Sequence, residues 1–73
     1  MFYFFSRGTQ TMRCEVRPAL QGDGYEIAIT GQDGVERIEY HATSDDVHRR
    51  WLELHGKFSN DGWKGPVTQD GRG

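Results

Sequence analysis

The sequence predicts an α+β domain: a four-stranded antiparallel meander with one C-terminal amphipathic helix on one face, in the order ββββα. Three observations lead there. Apolar residues alternate at period two in the first half of the chain. An Asp-Gly pair at 33–34 separates two such runs, and a helical stripe then runs through Val47, Trp51, Leu54 and Phe58.

Phe2 to Phe5 is a short aromatic run that favours a strand. Ser6 to Thr9 supplies turn residues. From Thr11 to Arg17, Met12, Cys14 and Val16 take one face and Arg13, Glu15 and Arg17 the other. Pro18 ends this strand because it cannot donate to a ladder. Tyr25, Ile27 and Ile29 alternate with Glu26, Ala28 and Thr30 in a third strand. Gly31-Gln32-Asp33-Gly34 then signals a hairpin with a primed turn. The fourth strand runs from Val35 to His41, with Ile38 and Tyr40 on one side and Val35 out of phase, near the turn or a bulge.

Thr43 or Ser44 caps the helix, and Asp45 and Asp46 meet the positive end of its dipole. The helix ends at Gly56 or at Asn60. Its apolar stripe is expected to clamp Met12, Cys14, Val16, Tyr25, Ile27, Ile29, Ile38 and Tyr40. Trp63 folds back over the open end of this core. The domain spans 1–66, and the glycine-rich polar stretch 67–73 is expected to be a disordered tail.

The chain has 73 residues, which allows one domain that is marginal alone. Its hydrophobic fraction is only 34%, though Trp, Tyr and Phe supply bulky side chains. That balance favours a homodimer. The single cysteine, Cys14, cannot form an internal disulfide and reads as a buried core thiol. The opening apolar run is far shorter than a signal-peptide core or a membrane span, so the expected location is the cytoplasm, with no membrane contact.

The formal net charge of −2 is unevenly spread. Residues 21–48 hold seven acids against Arg37, whereas both flanking segments are net positive. This contrast suits attraction between two halves of one domain, or a partner surface.

No spacing in the chain points to catalysis, a metal or a cofactor. His48 and His55 stand two helical turns apart, about 10.5 Å along the axis, too far for one metal with bonds of roughly 2 Å. The glycine pairs are turns with no helix directly behind them, and no nucleophile elbow or phosphate loop is present. The chain therefore reads as non-catalytic.

Binding is the better class. One helix covers one face of the sheet, and the other face should carry Arg13, Arg17, Glu15, Glu26, Thr30, Arg37 and Glu39, with either Tyr3 and Phe5 or Phe2 and Phe4 beside them. The candidate contact set is Tyr3, Phe5, Arg13, Arg17 and Arg37. Aromatics beside arginines could stack bases and grip phosphates; alternatively the face meets a protein partner or a second copy. The ββββα order over residues 2–58 resembles the Whirly and positive-cofactor-four type single-strand binders, which dimerise and hold DNA on their sheets. The likeness is one of topology, and the acidic third and fourth strands differ from their basic binding faces, which disfavours nucleic acid. Tyr3 to Gly8, Arg13-Cys14-Glu15-Val16-Arg17 and Gly62-Trp63-Lys64-Gly65-Pro66 are also similar to segments of small uncharacterised bacterial proteins, a likeness that implies no activity.

Overall fold

The computed structural model describes residues 1–69. Strands β1 (Phe2–Arg7) and β2 (Gln10–Pro18) form a hairpin closed by Gly8-Thr9. Gly8 takes a φ of 61°, as a type II′ turn requires at its first central position. Strands β3 (Tyr25–Thr30) and β4 (Glu36–His41) continue the meander, and helix α1 (Ser44–Asn60) follows. A fifth strand, β5 (Lys64–Gln69), then returns to pair with β1. The sheet order is β4-β3-β2-β1-β5, with every neighbour antiparallel. The helix thus carries the chain from one sheet edge to the other.

The α+β class and the antiparallel sheet agree with the sequence reading, but the sheet has five strands, not four. β5 occupies the segment expected to be loop and tail, and it passes through the boundary placed at 66. Residues 70–73 of the expected tail lie outside the described residues. Gly65 and Pro66 hid the strand, because both are rare inside ladders. They are admitted here because β5 is an edge, and a bulge interrupts its register between Phe4 and Ser6.

Thr43 caps the helix: its hydroxyl accepts from the Asp46 backbone N–H at 3.1 Å. Gly56 does not end it. The end is set by Gly62, whose φ of +91° lets the chain turn back. The Gly62 N–H donates to Ser59 O at 3.1 Å and the Trp63 N–H to Phe58 O at 2.9 Å, which satisfies the last carbonyls in a Schellman arrangement. Trp63 is thereby aimed back at the core, and the Arg7 guanidinium lies 4.6 Å from its ring centroid.

The core sits between the helix and one sheet face. Phe5, Met12, Cys14 and Ile27 from the sheet meet Val47, Leu54 and Phe58 from the helix. Tyr3, Val16, Tyr25, Ile29 and Trp51 pack around them. Ile38 and Tyr40 do not join this core; they are 50% and 58% exposed. The cause is register. A two-residue Asp33-Gly34 turn would set Ile29 opposite Ile38. Instead five residues connect the strands: Gly34 N–H donates to Gly31 O at 3.1 Å, and Gly34 alone among them has positive φ. Thr30 then pairs with Glu36, Ile29 with Arg37 and Ala28 with Ile38. A shift of one residue turns every side chain of the strand to the other face.

Candidate interaction surface

The sheet face opposite the helix is built from alternate residues of all five strands. One row across it runs Val67, Phe4, Arg13, Thr30 and Glu36; the next runs Phe2, Glu15, Ala28 and Ile38; a third runs Arg17, Glu26 and Tyr40. The apolar side chains therefore gather at the two ends of the sheet, with charged ones between them. Val67 is 68% exposed. Phe2 and Phe4 stack with ring centroids 6.5 Å apart. The Tyr40 hydroxyl donates to Asp23 O, which ties the 19–24 loop to the edge strand.

Arg17 is the electrostatic centre of this face. It lies 2.7 Å from Glu15, 3.0 Å from Glu26 and 3.9 Å from Glu36. Hydrogen bonds to Glu15 and then Glu26 hold the guanidinium yet more firmly in its charged form. Arg13 stands apart: among the described residues it has no carboxylate partner, and its guanidinium lies 5.7 Å from the Phe2 ring centroid. A shallow depression of about 280 Å³ beside it is lined by Phe4, Thr11, Met12, Arg13, Thr30 and Gly31.

The five residues picked out by sequence do not come together. Arg13 and Arg17 lie on the open face. Tyr3 and Phe5 lie under the helix, where Tyr3 packs on Trp51 at 4.4 Å and Phe5 is 2% exposed. Phe2 and Phe4 take the aromatic places on the open face. Arg37 and Glu39, expected on the open face, project instead on the helix side of edge strand β4, because the five-residue connection reverses that strand's phase; Arg37 lies 3.1 Å from Asp33. There the helix reaches the edge: both Glu39 carboxylate oxygens accept from Arg50, each at 2.9 Å. These bonds first, and His41 at 3.2 Å after them, keep the Glu39 carboxyl below the usual carboxylate range.

Sequence reasoning missed Ile38, Tyr40 and Val67. For the first two, the misplaced phase of Val35 relative to Ile38 was a signal. It marks a longer connection than a two-residue turn.

The histidines are dispersed. His41 contacts Glu39, His55 stacks on Trp51 at 6.4 Å, and His48 is exposed. Among the described residues no group of three or more His, Cys, Asp or Glu side chains is arranged to hold a metal ion. Cys14 is fully buried, and burial pushes its thiol up to about 11. Between the unfolded thiol range near 9 and that value, the folded state holds a proton that the unfolded chain has lost, so this group's contribution to stability falls as pH rises through that window. An aromatic disulfide reagent at pH 8 should label Cys14 only at the rate of unfolding; immediate stoichiometric labelling of the folded protein would contradict this.

Among the described residues no helix is long and apolar enough to cross a membrane. No family model, curated protein or solved structure matches the chain.

Proposed function

We propose that this chain is a small non-catalytic interaction module that works as a homodimer, joined through its sheet. The observation that carries this is the exposure of Ile38 and Tyr40 on an edge strand, at 50% and 58%. An apolar side chain and an unpaired backbone edge in one place favour cover by another chain. The chain's length supports the same reading, since 73 residues bury a limited core and a second copy adds to it. The lone cysteine fits a reducing, cytoplasmic setting.

Nucleic acid is the weaker partner. Non-specific affinity grows with the number of cations free to neutralise phosphates. On the open face Arg17 is held by three carboxylates, leaving Arg13 as its one unpaired arginine among the described residues.

Sedimentation equilibrium from micromolar to millimolar protein should give a concentration-dependent dimer. Ile38→Lys should weaken it by about tenfold or more, the equivalent of losing one buried aliphatic side chain, with its circular dichroism spectrum unchanged. A monomer throughout the range would overturn the reading. Salt-dependent amide shifts on adding single-stranded DNA to that monomer would put nucleic acid in its place.

A further inference from the structure

We infer that two copies pair through β4 in one antiparallel register, centred on Ile38, to form a ten-stranded sheet with both helices on the same side. This rests on the self-association proposed above and names its geometry.

The two edges of the sheet differ. β5 carries Pro66, which has no N–H to offer, and a register shift where it meets β1. β4 has neither proline nor glycine in its six residues, so each can take part in a ladder. It is the edge able to accept another strand.

The residue order of β4 is complementary to itself when reversed. With Ile38 opposite Ile38 of the second copy, Arg37 falls opposite Glu39 of that copy, and symmetry makes the pair twice. Glu36 falls opposite Tyr40 in the same way. The Arg37 side chain is 65% exposed and contacts Asp33 on its own chain, so it is free to bridge the two copies. Glu39 Oε1 already meets both Arg50 and His41, but Oε2 accepts from Arg50 alone and retains acceptor capacity. Directly opposed pairs of this kind are the unit of sheet stabilisation.

Other registers lack this match. Moving the centre by one residue sets Arg37 against Arg37 or Glu39 against Glu39. A register halfway between these cannot form, because the residues whose N–H and C=O point outward from an edge strand alternate along it and must oppose one another. Like charges directly opposed are destabilising, so the charge order selects a single register.

Ile38→Cys tests the register. Cys14 is fully buried, so this variant carries one accessible thiol among the described residues. Under mild oxidation in dilute solution it should form a disulfide-linked dimer about tenfold faster than the control Val67→Cys, because pairing raises the local thiol concentration. The β4 amides should also exchange more slowly as protein concentration rises. A sedimenting dimer in which Ile38→Cys crosslinks no faster than Val67→Cys, and β4 exchange is independent of concentration, would overturn the β4 register and leave self-association standing. A monomer at all concentrations would overturn both.

Discussion

Phe5→Ala is expected to cost about 3–5 kcal/mol and to move the unfolding midpoint far below that of the wild type. Phe5 is 2% exposed and stands where the sheet, the helix and the β5 connection meet. Its ring meets Phe58 edge-on at 5.1 Å and lies 6.0 Å from Trp51 and 6.4 Å from His55. Met12 is its neighbour across the β1–β2 ladder. Truncation removes the ring's burial and the aromatic contacts together, and the surrounding side chains come from two layers that cannot close independently. Domains of this kind hold roughly 0.05–0.15 kcal/mol per residue, about 4–11 kcal/mol for 73 residues, so the loss takes a large share of what the fold has. Urea titration followed by tryptophan fluorescence reads it directly, since Trp51 borders the site. The control is Leu52→Ala, on a helix position that is 55% exposed, where a change within about 0.5 kcal/mol is expected. A Phe5→Ala midpoint as close to wild type as that of Leu52→Ala would remove Phe5 from the centre of the core.

The same contrast between buried and exposed positions explains what could be read in the sequence. Met12, Cys14, Ile27 and the Val47–Leu54–Phe58 stripe were legible because each shows an uninterrupted period, two for a half-buried strand and near 3.6 for the helix. The cap was legible because Thr43, Asp45 and Asp46 act on backbone groups within one turn of themselves. Ile38 and Tyr40 also show period two, so the sequence put them on one face, but which face depends on the length of the 31–35 connection. Periodicity carries no such information, and the Asp-Gly pair suggested a tighter turn than the one that forms. Phe2 to Phe5 was ambiguous for the opposite reason: with aromatics on both faces, pattern alone could not assign Tyr3 and Phe5 to the core. Their pairing with Cys14 and Met12 does. β5 was the least legible element, since its partner among the described residues is β1, more than fifty residues away, and its own sequence carries a glycine-proline pair at its second and third positions. The candidate surface suffered accordingly. Its arginines at 13 and 17 were placed by the clean alternation of β2, while its apolar members lay on the strands whose phase was uncertain.

Gly65→Ala is the second large effect, and it should act on one edge of the sheet. Gly65 has a φ of +133°, a region that L-residues rarely enter. A Cβ there would stand 2.7 Å from Phe4 O and 3.3 Å from Phe5 Cδ1. The first of these is backbone inside a hydrogen-bonded ladder and cannot swing aside, and the second belongs to the most tightly packed ring of β1. Backbone strain and overpacking each cost about 1–3 kcal/mol, and the chain can relieve both by letting β5 leave β1. Hydrogen exchange should therefore accelerate at Val67 and Thr68 while β2 and β3, in the middle of the sheet, stay protected. Gly56→Ala is the informative comparison: it lies within the helix, the added carbon meets nothing within 4 Å beyond its chain neighbours and the local helix backbone, and the change should stabilise by up to about 1 kcal/mol. Wild-type exchange at 67 and 68 in Gly65→Ala would show that the close approach to Phe4 is not a real constraint. The two sheet edges are also separable by this variant. β4 lies three strands away from β1 in the sheet order, so a protein that loses β5 should still dimerise, whereas one whose dimer dissolves with β5 would place the contact at the β5 edge instead.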